Sequence, residues 1–158
     1  MAKENANEDG DCAGMLALCY AFGFGTDIKD EEKKRWSEAA IEKGTAMGVL
    51  GYFILEKYEE SVQLLRQLLD DGVSVIQNLY AFQCQNGLGM DVDEKKAFEY
   101  YSLAAEQGDA MALSNLGYCY QNGSGVERDL EMGFLYYAAS SGRDRRCSGT
   151  SLRRRVLR

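Results

Sequence analysis

The residues of this chain that could do chemistry are glycine pairs in two similar loops and several runs of carboxylates. The loops read QNGLGMDVD at 85–93 and QNGSGVERD at 121–129. Exposed N–H groups in a glycine-rich loop before a helix can cradle a phosphate, and closely spaced carboxylates can bind calcium. A third interpretation is that each loop joins two helices of a repeated structural unit.

Neither loop has the surroundings that phosphate or calcium binding requires. No strand pattern precedes the glycines, no Lys-Ser or Lys-Thr pair follows them, and a carboxylate, Asp93 or Asp129, stands at the start of the next helix. In a calcium loop beginning at Asp91, Lys96 and Ser102 would replace the required Gly and Glu. The sequence therefore favours the structural interpretation and predicts neither a cofactor nor a metal.

The residue types needed for catalysis are poorly represented. Histidine is absent, which removes the commonest general base and the commonest metal ligand. The carboxylates of DEEKK (30–34) and YEES (58–61) are typical of solvated helix faces, whereas an acid–base pair needs a pKa tuned by burial. The five cysteines form no CxxC pair, so we expect reduced thiols. We predict no catalytic residues and no enzyme.

Charge is divided unevenly along the 158 residues. Residues 1–142 hold 11 Lys/Arg against 24 Asp/Glu, while residues 143–158 hold seven Arg against one Asp. The acidic part argues against nucleic-acid binding except through the basic C-terminal segment, because phosphate contacts need Lys and Arg. No apolar run is long enough to span a membrane or to form a signal peptide, which predicts a cytoplasmic protein.

The two loops belong to a longer repeat. At a spacing of 36 residues, Asp93 aligns with Asp129 and Tyr100-Tyr101 with Tyr136-Tyr137, and a copy with the GFG loop at 23–25 lies near the N-terminus. The copy between Gly44 and Gly72 is eight residues shorter and lacks the loop. Within each copy, apolar residues recur at steps of three and four, which predicts a pair of helices.

The glycines of the repeat have structural roles in this scheme. A glycine with positive φ ends a helix without steric cost, and a glycine at a helix contact lets two backbones approach closely. The predicted structural glycines are Gly23, Gly25, Gly44, Gly72, Gly87, Gly89, Gly108, Gly117, Gly123 and Gly125.

The stretch ALSNLGYCYQNGSGVERDLEMGFLYYAA, and more weakly the copy before it, resembles the Sel-one-like repeat (SLR) family, a cousin of the tetratricopeptide repeat. The resemblance implies an all-α superhelix, or solenoid, of about four helical hairpins, in units of about 9–44, 45–72, 73–108 and 109–142. Residues 1–8 would be a flexible N-terminus. Residues 143–158 would be disordered or form a short capping helix through Leu152, Val156 and Leu157.

The same resemblance implies an adaptor function, because members of the family act as scaffolds that hold other proteins. A cysteine-rich secreted branch, for which β-lactam binding or hydrolysis has been proposed, is the alternative. That branch pairs one cysteine from each helix of a hairpin, whereas Cys12, Cys19, Cys84 and Cys119 all fall in first helices here.

In tetratricopeptide-like superhelices the first helices line an inner groove. Our hypothesis is that an apolar ladder in this groove grips a peptide or helix of a partner protein. The ladder consists of Leu18, Tyr52, Phe82 and Tyr118, and its polar rim of Asn78, Gln85 and Gln121. An alternative is that these side chains only pack between hairpins. The predicted groove residues are Leu18, Tyr52, Asn78, Phe82, Gln85, Ser114, Tyr118 and Gln121. The sequence gives no indication of the partner's identity or of the oligomeric state.

Overall fold

The computed structural model describes residues 10–44 and 46–142, and within these ranges it contains helices and no strand. The helices are α1 (Gly10–Phe22), α2 (Asp30–Glu42), α3 (Ala46–Ile54), α4 (Tyr58–Leu68), α5 (Ser74–Asn86), α6 (Glu94–Glu106), α7 (Ala110–Asn122) and α8 (Leu130–Ser140), with a 3₁₀ turn at Leu69–Asp71. Consecutive helices pair into four hairpins. The predicted all-α fold of helical hairpins is confirmed, and the predicted segments 1–8 and 143–158 lie outside the described residues.

The chain divides into two compact units, and the division falls between Leu68 and Leu69. Unit 1 holds α1 to α4, and unit 2 holds α5 to α8. The core of unit 1 forms around Trp36 and Tyr20, which pack with small alanines of α1 and α2. In unit 2, Tyr101, Ile76 and Leu116 are among the largest buried side chains.

The loop glycines end helices as the repeat pattern predicts. Gly87 and Gly123 close α5 and α7 in the left-handed conformation, with φ of 66° and 75°. Asp93 and Asp129 then accept hydrogen bonds from the first backbone N–H groups of α6 and α8. Because these N–H groups have no partner within the helix, each aspartate fixes the point where its helix begins.

The shortened second hairpin makes its turn without glycine. Residues 55–57 connect α3 and α4, and Glu56 takes a positive φ of 58°. The backbone N–H of Lys57 donates to the carbonyl of Tyr52, which closes the turn over the end of α3. A non-glycine residue in this conformation carries a steric cost. The packing of the hairpin therefore has to offset the unfavourable backbone conformation of Glu56.

Glycines inside the helices bring the helix backbones together. A Cβ added to Gly117 would lie 3.1 Å from the carbonyl oxygen of Gly133, and a Cβ on Gly133 would lie equally close to the carbonyl oxygen of Gly117. The facing pair therefore lets α7 and α8 approach more closely than any larger residue would allow. Gly51 meets the carbonyl of Ser37 in the same way in unit 1.

Candidate partner-binding groove

An open groove of about 450 Å³ lies in unit 2 between the first helices α5 and α7. Four of the residues predicted to bind a partner line it, namely Phe82, Gln85, Ser114 and Tyr118. Tyr118 is half exposed, at 50%. The structure thus brings most of the predicted groove residues of unit 2 together on one surface.

Five further residues line the groove that sequence reasoning did not identify: Asn86, Glu94, Asn115, Ser124 and Tyr137. Glu94 and Tyr137 belong to second helices, whereas the groove prediction considered only first helices. The sequence did mark Tyr137 as a repeated position, because it lies 36 residues after Tyr101 in the repeat.

Hydrogen bonds between helices hold the groove walls in place. The hydroxyl of Tyr101 donates to Oε1 of Gln85 at 3.0 Å, and the hydroxyl of Tyr137 donates to Oε1 of Gln121 at 3.2 Å. Each bond ties the second helix of a hairpin to its first helix, 16 residues earlier. The side chain of Gln85 also donates through Nε2 to the sulfur of Cys119 at 3.9 Å, which links α5 to α7.

Asn78 and Gln121 differ from their predicted roles on the groove rim. Asn78 is only 6% exposed, and its Oδ1 accepts a hydrogen bond from Nδ2 of Asn115 at 2.9 Å. It therefore lies beneath the surface and orients Asn115, which does line the groove. Gln121 is exposed but contributes to a neighbouring concavity of about 200 Å³ together with Leu130 and Phe134.

The other two members of the predicted ladder belong to unit 1. Leu18 lies on α1 and Tyr52 on α3, and both are half-buried.

The groove carries a negative electrostatic environment. Residues 69–142 of unit 2 hold 11 Asp/Glu and three Lys/Arg, whereas residues 143–158 of the same unit hold seven Arg and one Asp. The excess of carboxylates therefore belongs to the part of unit 2 that forms the groove. Exposed Glu94 stands on the groove wall. Burial, together with the nearby carboxylate of Glu94, raises the pKa of the Cys119 thiol to about 11, because both effects disfavour a thiolate there.

Of the described cysteines, Cys12 is exposed and Cys19 is half-buried, and Cys147 lies outside the described residues. Cys84 and Cys119 are buried in unit 2, and the Cys84 thiol approaches the sulfur of Met90 at 3.2 Å. Over residues 10–44 and 46–142, no group of three or more Cys, Asp or Glu side chains is arranged to hold a metal ion. None of the helices in this part of the chain is long and apolar enough to cross a membrane.

A family model, two protein sequences and two solved structures all match this chain to proteins with the same kind of repeat. The family model of the Sel1 repeat matches residues 11–44, 77–109 and 110–141, which leaves the shortened second copy unmatched. Protein sel-1 homolog 2 is 32% identical over 98 residues in the human protein and over 84 residues in the mouse protein, covering 62% and 53% of this chain. The chain spans only 14% and 12% of the length of these two relatives.

Two solved structures resemble the fold with a TM-score of 0.66. One is c5321, a protective antigen of uropathogenic Escherichia coli displaying an SLR fold, which is 30% identical and covers 94% of this chain. The other is a Sel1 repeat protein from Oxalobacter formigenes, which is 26% identical and covers 89% of this chain. The matches cover 33% and 59% of those two chains.

Proposed function

The chain belongs to the Sel1 repeat family, and we propose that it is a non-enzymatic scaffold that binds a segment of another protein in the groove of unit 2. The family points to protein interaction as the general role. The finer assignment, to this groove and to these residues, is supported by its geometry. A partner peptide would lie across α5 and α7, against Phe82 and Tyr118.

The observation that carries this proposal is the mixed character of the groove. Tyr118 offers a half-exposed aromatic ring on which an apolar side chain can pack. Around it stand Gln85, Asn86 and Asn115. Each amide nitrogen already donates one hydrogen bond within the unit and keeps a second N–H, and each amide oxygen can accept from a partner. An extended peptide or a helix end presents unpaired backbone groups, and these amides are suited to pair with them.

The charge of unit 2 specifies the partner further. With carboxylates outnumbering cations 11 to three between residues 69 and 142, this part of unit 2 attracts cationic segments and repels acidic ones. Glu94 provides a carboxylate on the groove wall for a Lys or Arg side chain. We therefore propose a basic segment with one aromatic or branched aliphatic anchor.

The test begins with a library of synthetic peptides that varies net charge and anchor residue independently, screened for binding by fluorescence anisotropy. Basic peptides with an apolar anchor should bind tightest, and their affinity should fall as salt rises. Tyr118→Ala should weaken binding of the best peptide by about tenfold or more, since a central anchor contact is worth about 2 kcal/mol.

Leu103→Ala is the matched control, because Leu103 is 44% exposed on α6 and does not line the groove. Circular dichroism should show all variants folded. If folded Tyr118→Ala and Phe82→Ala proteins bind the peptide as tightly as the unaltered chain, the groove is not the binding site.

A further inference from the structure

The chain itself contains a segment of the kind that the groove of unit 2 is suited to bind. Residues 143–158 read RDRRCSGTSLRRRVLR and hold seven Arg against one Asp. Within them, Leu152 stands directly before Arg153, Arg154 and Arg155. We call residues 143–158, which lie outside the described residues, the basic segment. A branched aliphatic side chain beside several cations is the composition proposed above for the partner.

The basic segment starts close to one side of the groove. On α8, Tyr137 lies against Gly117 of α7 and also lines the groove. The helix ends one turn later at Ser140. Because α7 and α8 form a hairpin and run antiparallel, this end lies opposite the first half of α7, where Ser114 lines the groove. The basic segment follows after Gly142, two residues beyond the end of α8.

The length of the chain allows Leu152 to reach Phe82 and Tyr118, which we call the aromatic wall of the groove. Leu152 is the tenth residue after Gly142, and ten extended residues span about 33 Å. Ser114 and Tyr118 both line the groove and stand four residues apart on α7, which is about 6 Å along the helix axis. The basic segment therefore reaches the aromatic wall without being fully extended.

Carboxylates lie next to the aromatic wall. Glu94 lines the groove and also a neighbouring concavity of about 690 Å³, which Asp93 and Glu127 line together with one cation, Lys95. All three acidic residues are exposed. Within residues 10–44 and 46–142, none of the three forms an ion pair. With Leu152 on the aromatic wall, the three arginines that follow it come within reach of these carboxylates.

We propose that the basic segment occupies the groove of unit 2 in its own chain, with Leu152 packed on the aromatic wall, and that a partner has to displace it. This assignment rests on the proposed function, because the segment and the partner use the same groove. Tethering gives the segment an effective concentration on the order of 1 mM. Even a weak intrinsic affinity, with a Kd of about 0.1 mM, then fills about nine grooves in ten. A partner binds about tenfold more weakly than it would to an open groove.

Photo-crosslinking of the full chain tests the docking without any added peptide. Leu152→p-benzoylphenylalanine places a photoreactive side chain at the anchor position, and peptide mapping by mass spectrometry identifies what it touches. The crosslink should form within one chain, close to the 17.6 kDa of a monomer, and should join position 152 to peptides that contain Phe82 or Tyr118. Its yield should fall as salt rises above about 0.1 M, because the attraction between arginine and carboxylate is screened.

Variants of unit 2 provide the matched controls for the crosslink. Adding Tyr118→Ala should reduce the yield at least about fivefold. Glu94→Lys, at an exposed position on the groove wall, should reduce it as well. Leu103→Ala should leave the yield unchanged, because Leu103 is 44% exposed on α6 and does not line the groove. Circular dichroism should show all three variants folded.

Competition with an added peptide tests the displacement. Leu152→Ser removes the anchor without changing the charge of the chain, and it should raise the affinity for the best basic peptide of the library about tenfold. Thr150→Ala is the control, an uncharged substitution two residues earlier in the same segment, and it should leave the affinity unchanged.

The results separate failure of this inference from failure of the proposed function. Crosslinks that form only outside the groove, or only at the mass of two chains, would overturn docking within one chain even if peptides bind at Tyr118. An unchanged peptide affinity in the Leu152→Ser protein would overturn the displacement. If the crosslink reaches Tyr118 but no peptide binds either protein, the docking is supported and the proposed partner class is wrong.

Discussion

Gly125 allows the sharpest prediction about stability, because its conformation and its surroundings can be tested separately. Its φ is 72°, and a Cβ on it would overlap the carbonyl oxygen of Glu94 and lie 2.6 Å from the carbonyl carbon. The loop of the fourth hairpin thus packs directly on the backbone at the start of α6. Gly108 also has a positive φ, of 86°, but a Cβ there would meet nothing within 4 Å.

The Gly108→Ala variant should lose about 1 kcal/mol in the free energy of unfolding, which is the cost of a left-handed alanine. The Gly125→Ala variant should lose that amount and a further amount of about 1–3 kcal/mol, typical of forced overpacking. The extra loss arises because the atoms that the new Cβ would meet belong to the backbone of α6. A backbone cannot move aside as the end of a flexible side chain can.

Urea denaturation followed by circular dichroism measures both values in the same unit of the protein. A double variant that carries both substitutions should lose the sum of the two, since the sites are separate. Equal losses for the two single variants would show that the contact between Gly125 and Glu94 contributes nothing, and that only the backbone conformation matters.

Three further outcomes are expected. Asp109→Ala should lower the free energy of unfolding by about 1 kcal/mol in urea denaturation, because the aspartate caps α7 by accepting from the N–H of Ala112; an unchanged value would contradict the assigned cap. Burial raises the pKa of Tyr136 to about 12 and that of Tyr101 above the ordinary range. The folded chain therefore keeps phenol protons that the unfolded chain releases above about pH 10. The contribution of these tyrosines to stability should be constant below that pH and fall above it, and Tyr101→Phe should reduce the slope above about pH 10; a midpoint in urea that does not change above about pH 10 would refute this. Finally, the buried Cys119 thiol should react with a disulfide reagent far more slowly than the exposed Cys12 thiol, as peptide mapping of the labelled protein would show; equal rates would contradict it.

The helical hairpins were predictable because their signals are local. A glycine that takes positive φ after an apolar helical turn, followed six residues later by aspartate, fixes both a helix end and a helix start, as Gly87 and Asp93 do. The shortened second copy was predictable as well, since the spacing of 28 between Gly44 and Gly72 leaves no room for the loop. Its turn at Glu56 lacks any glycine signal, and only the tertiary structure shows the left-handed residue.

The candidate groove was only partly predictable, because a groove is formed by contacts between repeats. The resemblance placed Phe82 and Tyr118 in an inner groove, and both line the same concavity of unit 2. It could not show that Asn78 turns inward to hold Asn115, since either residue fits a polar rim by type. Residues contributed by second helices, such as Glu94 and Tyr137, depend on how closely the hairpins stack. Stacking distance is set by facing glycines and aromatic rings, whose combined effect the repeat pattern does not specify.

The hydrogen bond between a tyrosine and a glutamine of paired helices occurs twice in unit 2. The two bonds have nearly the same length, but their tyrosines differ in solvent exposure. The pair of Tyr101 and Gln85 is sealed from water on the tyrosine side, whereas Tyr137, bonded to Gln121, remains 36% exposed. One molecule therefore contains the same type of hydrogen bond in a buried and in a solvent-exposed setting. Double-mutant cycles on both would isolate how strongly the local dielectric changes the worth of a phenol–amide bond, with sequence separation and helix geometry held constant.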